Sequence, residues 1–163
     1  MDSQDRFSIA IGEPIVQEGD EAAEPQDPLG ELTHLEMGLW LYCYWNNCRI
    51  VITIGDCSFV IELNPDVSIV LDEFQSAIAH LSSGQDAKLS FYELSTSIYF
   101  APEAEDVRCV LERDGYVFEH GEFRLILAQV VDQLKDFLSG IVNSAADGGY
   151  ITVTEARLFL SGE

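Results

Sequence analysis

At Asn64-Pro65 the apolar spacing of the chain changes from that of a strand to that of a helix, and this switch restricts the fold more than any other feature. Before it, Ile50, Ile52, Ile54, Cys57, Phe59, Ile61 and Leu63 alternate with Arg49, Val51, Thr53, Ser58, Val60 and Glu62 on either side of Gly55-Asp56. Such alternation sends the two sets to opposite faces of a strand pair, and Gly-Asp suits a tight turn. The register opposes Ile54 to Cys57, Ile52 to Phe59 and Arg49 to Glu62. After the switch, Val67, Val70, Leu71, Phe74, Ala77, Ile78 and Leu81 recur at helical spacing. Asn64 serves as N-cap, Pro65 fills the first helical position, Asp66 lies near the positive helix end, and Gly84 is the stop. The helix can therefore cover the apolar face of the strands.

Upstream, Leu35, Met37, Leu39, Leu41 and Cys43 are apolar at alternate positions with Glu36 on the other phase, which predicts a further strand. Asn46-Asn47 suits a second hairpin turn, pairing Trp45 with Cys48, Tyr44 with Arg49, Cys43 with Ile50 and Tyr42 with Val51. The apolar face of this meander holds Cys43, Cys48 and Cys57, so they are expected to be buried thiols. Cys43 and Cys48 become diagonal neighbours within reach of a bridge under oxidation, and no His or acid shares their face to complete a zinc site. The opposite face carries Trp40, Tyr42, Tyr44 and Arg49, with Arg49 and Glu62 as a cross-strand ion pair. Trp, Tyr and Arg are the side chains enriched at binding hot spots, so this is a candidate contact face. The competing expectation is that the aromatics lie beneath the N-terminal strand or a second subunit.

Strands are predicted in "AKLSFYEL", "TSIYFA", "DVRCVLE" and "YVFEH". The turn at Asp114-Gly115 would oppose Leu111 to Phe118 and Cys109 to His120. "GEFRLILAQVVDQLKDFLSGIV" places Phe123, Ile126, Leu127, Val130, Leu134, Phe137, Leu138 and Ile141 on one stripe, an amphipathic helix stopped near Gly140. The tail suggests an edge strand over 150–153 and a short helical turn after Thr154. Near the start, Phe7, Ile9 and Ile11 alternate with Ser8 and Ala10, which suits a short strand within 6–11. The sum is a two-layer α+β fold, an antiparallel sheet of six or more strands in the order βββ-α-ββββ-α with two amphipathic helices. Residues 1–34 form an acidic arm and 35–163 a single domain.

Charge narrows the function. With 29 acids against 8 bases the formal net charge is −21, which repels phosphate and anionic lipid and attracts basic surfaces. Met1 to Glu36 alone holds ten acids and one base, Arg6. Direct nucleic-acid binding is not expected, and no apolar run has the length of a membrane span. The start of the chain lacks the basic and apolar regions of a secretory leader, and none of the four cysteines lies in a CxxC motif. A soluble, cytoplasmic protein is expected.

Site motifs are sparse. Gly149, Ile151 and Glu155 match three positions of a calcium loop, but Ser144, Ala146 and Gly148 stand where oxygen ligands belong. His34 and His80 have no companions at ligand spacing. Cys109 with His120 and its neighbours Glu119 and Glu122 could make a Cys-His pair, yet no nucleophile elbow or anion cradle accompanies it. We assign no catalytic residue, metal or cofactor, and expect a protein that is not an enzyme.

A small acidic α+β domain with a meander, a covering helix, more strands and a long amphipathic helix resembles the immunity proteins of bacterial polymorphic and contact-dependent toxin systems. The likeness covers roughly Leu35 to Val142 in architecture and character. It implies an inhibitor that binds a toxin domain of nuclease or deaminase type and occludes its basic active site. On that reading Trp40, Tyr42, Tyr44 and Arg49 are the anchors and Glu36, Asp56 and Glu62 the flanking charges, with room for a homo-oligomer. Two alternatives use the same chain differently: a nucleic-acid mimic that blocks a DNA-binding protein, and a small Cys/His enzyme or acidic subunit of a complex.

Overall fold

The computed structural model describes residues 6–12, 25–46, 49–62, 67–91 and 95–161, with the backbone alone at Glu62, Ser68 and residues 117–120. The fold is α+β. Its elements are β1 (Phe7–Ile11), α1 (His34–Trp45), β2 (Arg49–Ile54), β3 (Cys57–Glu62), α2 (Val67–Ser82), β4 (Ala87–Phe91), β5 (Thr96–Glu103), β6 (Asp106–Arg113), β7 (Tyr116–Ile126), α3 (Leu127–Asp147) and α4 (Val153–Ser161). Among the described residues the strands form two antiparallel sheets, β1-β2-β3 and β4-β5-β6-β7, where the sequence suggested one, and four helices stand where it suggested two.

The hairpin around Gly55-Asp56 has the expected register, with Ile54 opposite Cys57, Ile52 opposite Phe59 and Arg49 opposite Glu62. Gly55 takes φ 55°, a left-handed value that costs glycine little. The third strand of this sheet is not Leu35–Cys43 but β1, whose Phe7 to Ile11 pair with Ile54 to Ile50. The expected partners Tyr42, Cys43, Tyr44 and Trp45 are absent from β2 because they belong to a helix. Thr33 begins that helix with a capping box: its Oγ1 accepts from the Glu36 N–H at 3.1 Å, and the Glu36 carboxylate accepts from the Thr33 N–H at 3.1 Å. Asn46 ends it as C-cap rather than opening a hairpin, and Asn47 and Cys48 lie outside the described residues. With the helix, the register that made Cys43 and Cys48 neighbours disappears.

Helix α2 follows expectation, burying Val67, Val70, Leu71, Phe74, Ala77 and Leu81, and Gly84 at φ 75° closes it; the Asn64 cap lies outside the described residues. Phe74 sits at the centre of the core, its ring edge-on to Phe91 at 6.4 Å and Phe137 at 5.5 Å. Burying such a side chain stabilises the fold by about 2–3 kcal/mol. In the second sheet the Asp114-Gly115 turn pairs Arg113 with Tyr116 and Glu112 with Val117, but the next pair is Val110 with Glu122. A bulge thus takes up the extra residues of β7, and Cys109 faces Phe123, not His120. Gly121 to Ile126 continue β7 instead of starting a helix, since Phe123 and Leu125 alternate inward with Glu122 and Arg124 outward. Helix α3 begins at Leu127 and passes through Gly140 to Asp147, burying Val130, Leu134, Phe137, Leu138, Ile141 and Val142. The tail forms α4 and no strand at 150–153; Ser144 to Asp147, the front of the would-be calcium loop, are helical.

Cys43 and Cys109 are buried, while Cys57 is partly exposed and packs against the core. Phe7 of β1 meets Phe100 of β5 edge-on at 6.0 Å, so the two sheets share one core.

Candidate protein-docking face on helix α1

Helix α1 reads HLEMGLWLYCYW, with Glu36 as its one carboxylate and apolar residues around its whole circumference. At 100° per residue, Leu35, Leu39 and Cys43 form the stripe that enters the core. Gly38 is placed so close to α4's approach that a Cβ there would lie 2.5 Å from Ile151 Cγ2 and collide with the Tyr150 carbonyl oxygen. Tyr42 turns to the same side and meets the Tyr150 ring edge-on at 5.5 Å. Trp40 packs on the core from the other flank. Opposite the buried stripe lie Met37, Leu41, Tyr44 and Trp45, half-buried except for Trp45, which is 58% exposed. Tyr44 and Trp45 contact each other edge-on at 5.1 Å.

Carboxylates from three helices gather at the N-terminal turn of α1, around His34 and Glu36. Glu36 is on α1 itself. Asp72 of α2 is raised above the ordinary carboxylate range by burial and, second, by the charge of Glu36. Glu155 of α4 accepts from His34 Nδ1 at 2.8 Å and is lowered, chiefly by the Thr152 backbone N–H that it also accepts at 2.9 Å. An apolar arc on a strongly acidic chain can bury area against a partner while repelling anionic surfaces.

The residues singled out in the sequence are only partly brought together. Glu36, Trp40, Tyr42 and Tyr44 share a helix rather than a sheet face; Trp40 and Tyr44, one turn apart, stay close, whereas Tyr42 points to Tyr150. Arg49 and Glu62 are cross-strand neighbours at the end of the hairpin that follows α1. Arg49 is half-buried, and its Nη2 has no hydrogen-bond acceptor among the described residues. Asp56 is exposed at the opposite end of the hairpin, roughly 17 Å along the strand. Met37, Leu41 and Trp45 were missed because a strand reading puts them on the inner face; the signal against it was the Thr33-to-Glu36 spacing of a capping box.

Elsewhere a shallow groove of about 340 Å³ runs between α2 and the β4-β5 pair, lined by Ser76, His80, Asp86, Lys88 and Tyr99. Cys109 is fully buried and is not part of it. No cluster of three potential metal ligands occurs among the described residues, and no helix there is long and apolar enough to cross a membrane. Comparison with protein-family models, with curated proteins and with solved structures finds no match.

Proposed function

We propose that this chain acts by binding another protein, with the outward arc of α1 as its apolar anchor, and that it inhibits that partner by covering a basic site. One observation carries the reading: in a chain of net charge −21, a helix that is apolar on every side keeps Met37, Leu41, Tyr44 and Trp45 away from its own core. Helices apolar all round are normally buried on all sides, so the outer arc matches a surface that a partner completes. The acidity of the chain suits a partner built to hold phosphate, in keeping with the resemblance to immunity proteins and a nuclease-type or deaminase-type toxin domain.

The test is a tagged capture from the source lysate, washed at low and then high salt, with bound proteins identified by mass spectrometry. The expected outcome is a basic toxin-type domain retained in high salt by the native chain and released by Leu41→Ala or Trp45→Ala. A hot-spot side chain contributes about 2 kcal/mol or more, so each variant weakens the measured Kd by about thirtyfold. Retention lost in salt, with both variants neutral, would replace this reading with charge mimicry of nucleic acid. Capture of no protein would end it.

A further inference from the structure

Each sheet has two edges, and the structure treats one of the four differently. The tight turn makes Ile54–Cys57 a hydrogen-bonded pair, so Ile52–Phe59 and Ile50–Ile61 are bonded as well, and the backbone groups of Thr53 and Val51 turn to β1. The 2.9 Å bond from Gly12 N–H to the Arg49 carbonyl agrees with this phase. On β1 the outward N–H of Ile9 donates to Gln133 Oε1 of α3 at 3.4 Å. On β4 the outward N–H of Ser90 donates to the Glu73 carboxylate of α2. On β7 the bulge breaks the line of the edge, and Glu122 and Arg124 stand beside it in ion pairs with Arg108 and Asp106. Helix caps, bulges and edge charges are the usual means of blocking strand addition.

Among the described residues edge β3 has no helix cap and no bulge, and its carboxylic residues stand only at its two ends. By the same phase the backbone N–H and C=O groups of Ser58, Val60 and Glu62 point outward, and no described residue caps those of Ser58 or Val60. Ser58 is exposed and Val60 is 51% exposed, so no bulky wall stands over the edge.

Resting on the protein-binding reading above, we infer that the free edge of β3 takes an extended, Lys- or Arg-bearing segment of the partner as a fourth strand of the first sheet. Backbone groups would supply the binding and side chains the selection. Carboxylic residues stand at both ends of the strand, Asp56 in the turn and Glu62 at the close, and the whole chain is strongly acidic, so a basic segment is the complementary occupant. A second copy fits less well. It would bring −21 against −21, and a six-residue edge alone covers far less than the roughly 800 Å² per partner of a stable interface.

The test uses the full chain, isotope-labelled, with an alternating Lys-Val octapeptide as probe and an alternating Glu-Val octapeptide as its control. Backbone amide exchange is read residue by residue. The expected result is slowing by about tenfold at Ser58, Val60 and Glu62 with the Lys-Val peptide only. Val60→Pro should abolish it, because that N–H faces outward and its loss leaves the β2-β3 bonds in place, as continued protection of Phe59 and Ile61 would verify. Leu41→Ala and Trp45→Ala should leave it unchanged, which separates this edge from the α1 face. No slowing in the native chain overturns the inference, as does equal slowing with the acidic peptide. Slowing without peptide that grows with protein concentration would overturn it in favour of a second copy.

Discussion

Asp72 and Glu73 adjoin on α2 and are both held above the ordinary carboxylate range by burial; for Glu73 the Ser90 N–H and Lys88 pull part of the way back. A raised carboxyl pKa means that the native chain binds more protons than the unfolded one between the ordinary and the raised value. Stability therefore falls as pH rises through that window. Glu155, lowered by the Thr152 N–H, acts in the opposite sense: its contribution is present above the ordinary range and is lost as pH falls through the lowered value. We expect Asp72→Asn to stabilise the fold at neutral pH, read as a higher melting temperature, by no more than about 1 kcal/mol, since the surface position of Asp72 leaves its carboxylate only partly desolvated. The gain should vanish near pH ~3, where Asp72 is neutral too. An equal gain at both pH values, read by thermal melts, would assign the effect to something other than ionisation. At this scale the sequence was a fair guide to burial for Cys43, whose surroundings are apolar in either reading, and a weaker one for Cys57, which is partly exposed. It was a poor guide to Tyr42, whose neighbour Tyr150 is more than a hundred positions away.

Between elements, α1 and α2 show why periodicity succeeds in one place and fails in another. In α2, Asp72, Glu73 and Gln75 interrupt the apolar stripe, so a single helical phase fits. In α1 nearly every residue is apolar, so odd positions and helical positions match equally well and the pattern cannot choose. The deciding signal was the Thr33-to-Glu36 spacing of a capping box. Two glycines give opposite expectations. Gly38→Ala forces a Cβ against Ile151 and the Tyr150 carbonyl and should destabilise by about 1–3 kcal/mol in urea melts. Gly140, exposed within α3 with nothing near its Cβ position, should gain about 0.5–1 kcal/mol as Gly140→Ala. A neutral Gly38→Ala would mean that α1 does not hold the close approach on which its outward arc depends.

For the whole molecule, charge acts at long range more than through individual pairs. The exposed pairs Arg108–Glu122 at 3.3 Å and Arg124–Asp106 at 2.5 Å each contribute about 0–1 kcal/mol, far too little to explain an excess of 21 negative charges. That excess shapes encounter. For the basic partner of the proposed function, stopped-flow measurements should show the association rate falling by about tenfold or more from low to ~0.3 M salt, while the dissociation rate, governed by the apolar arc, changes little. A dissociation rate that rises with salt as steeply as the association rate falls would place the anchor in the charges instead.

What the sequence alone determined was local: the β2-β3 register, the α2 stripe, the turns at Gly55-Asp56 and Asp114-Gly115, and the acidity of the chain. Each rests on residues within a few positions of one another, where turn chemistry and apolar spacing act directly. Only the tertiary structure decided that β1 rather than 34–45 completes the first sheet, and that β7 runs on to Ile126 past a bulge. Those outcomes depend on contacts between distant residues, Phe7 with Phe100, Gly38 with Ile151 and Ile9 with Gln133, and no local pattern encodes which apolar run will meet which.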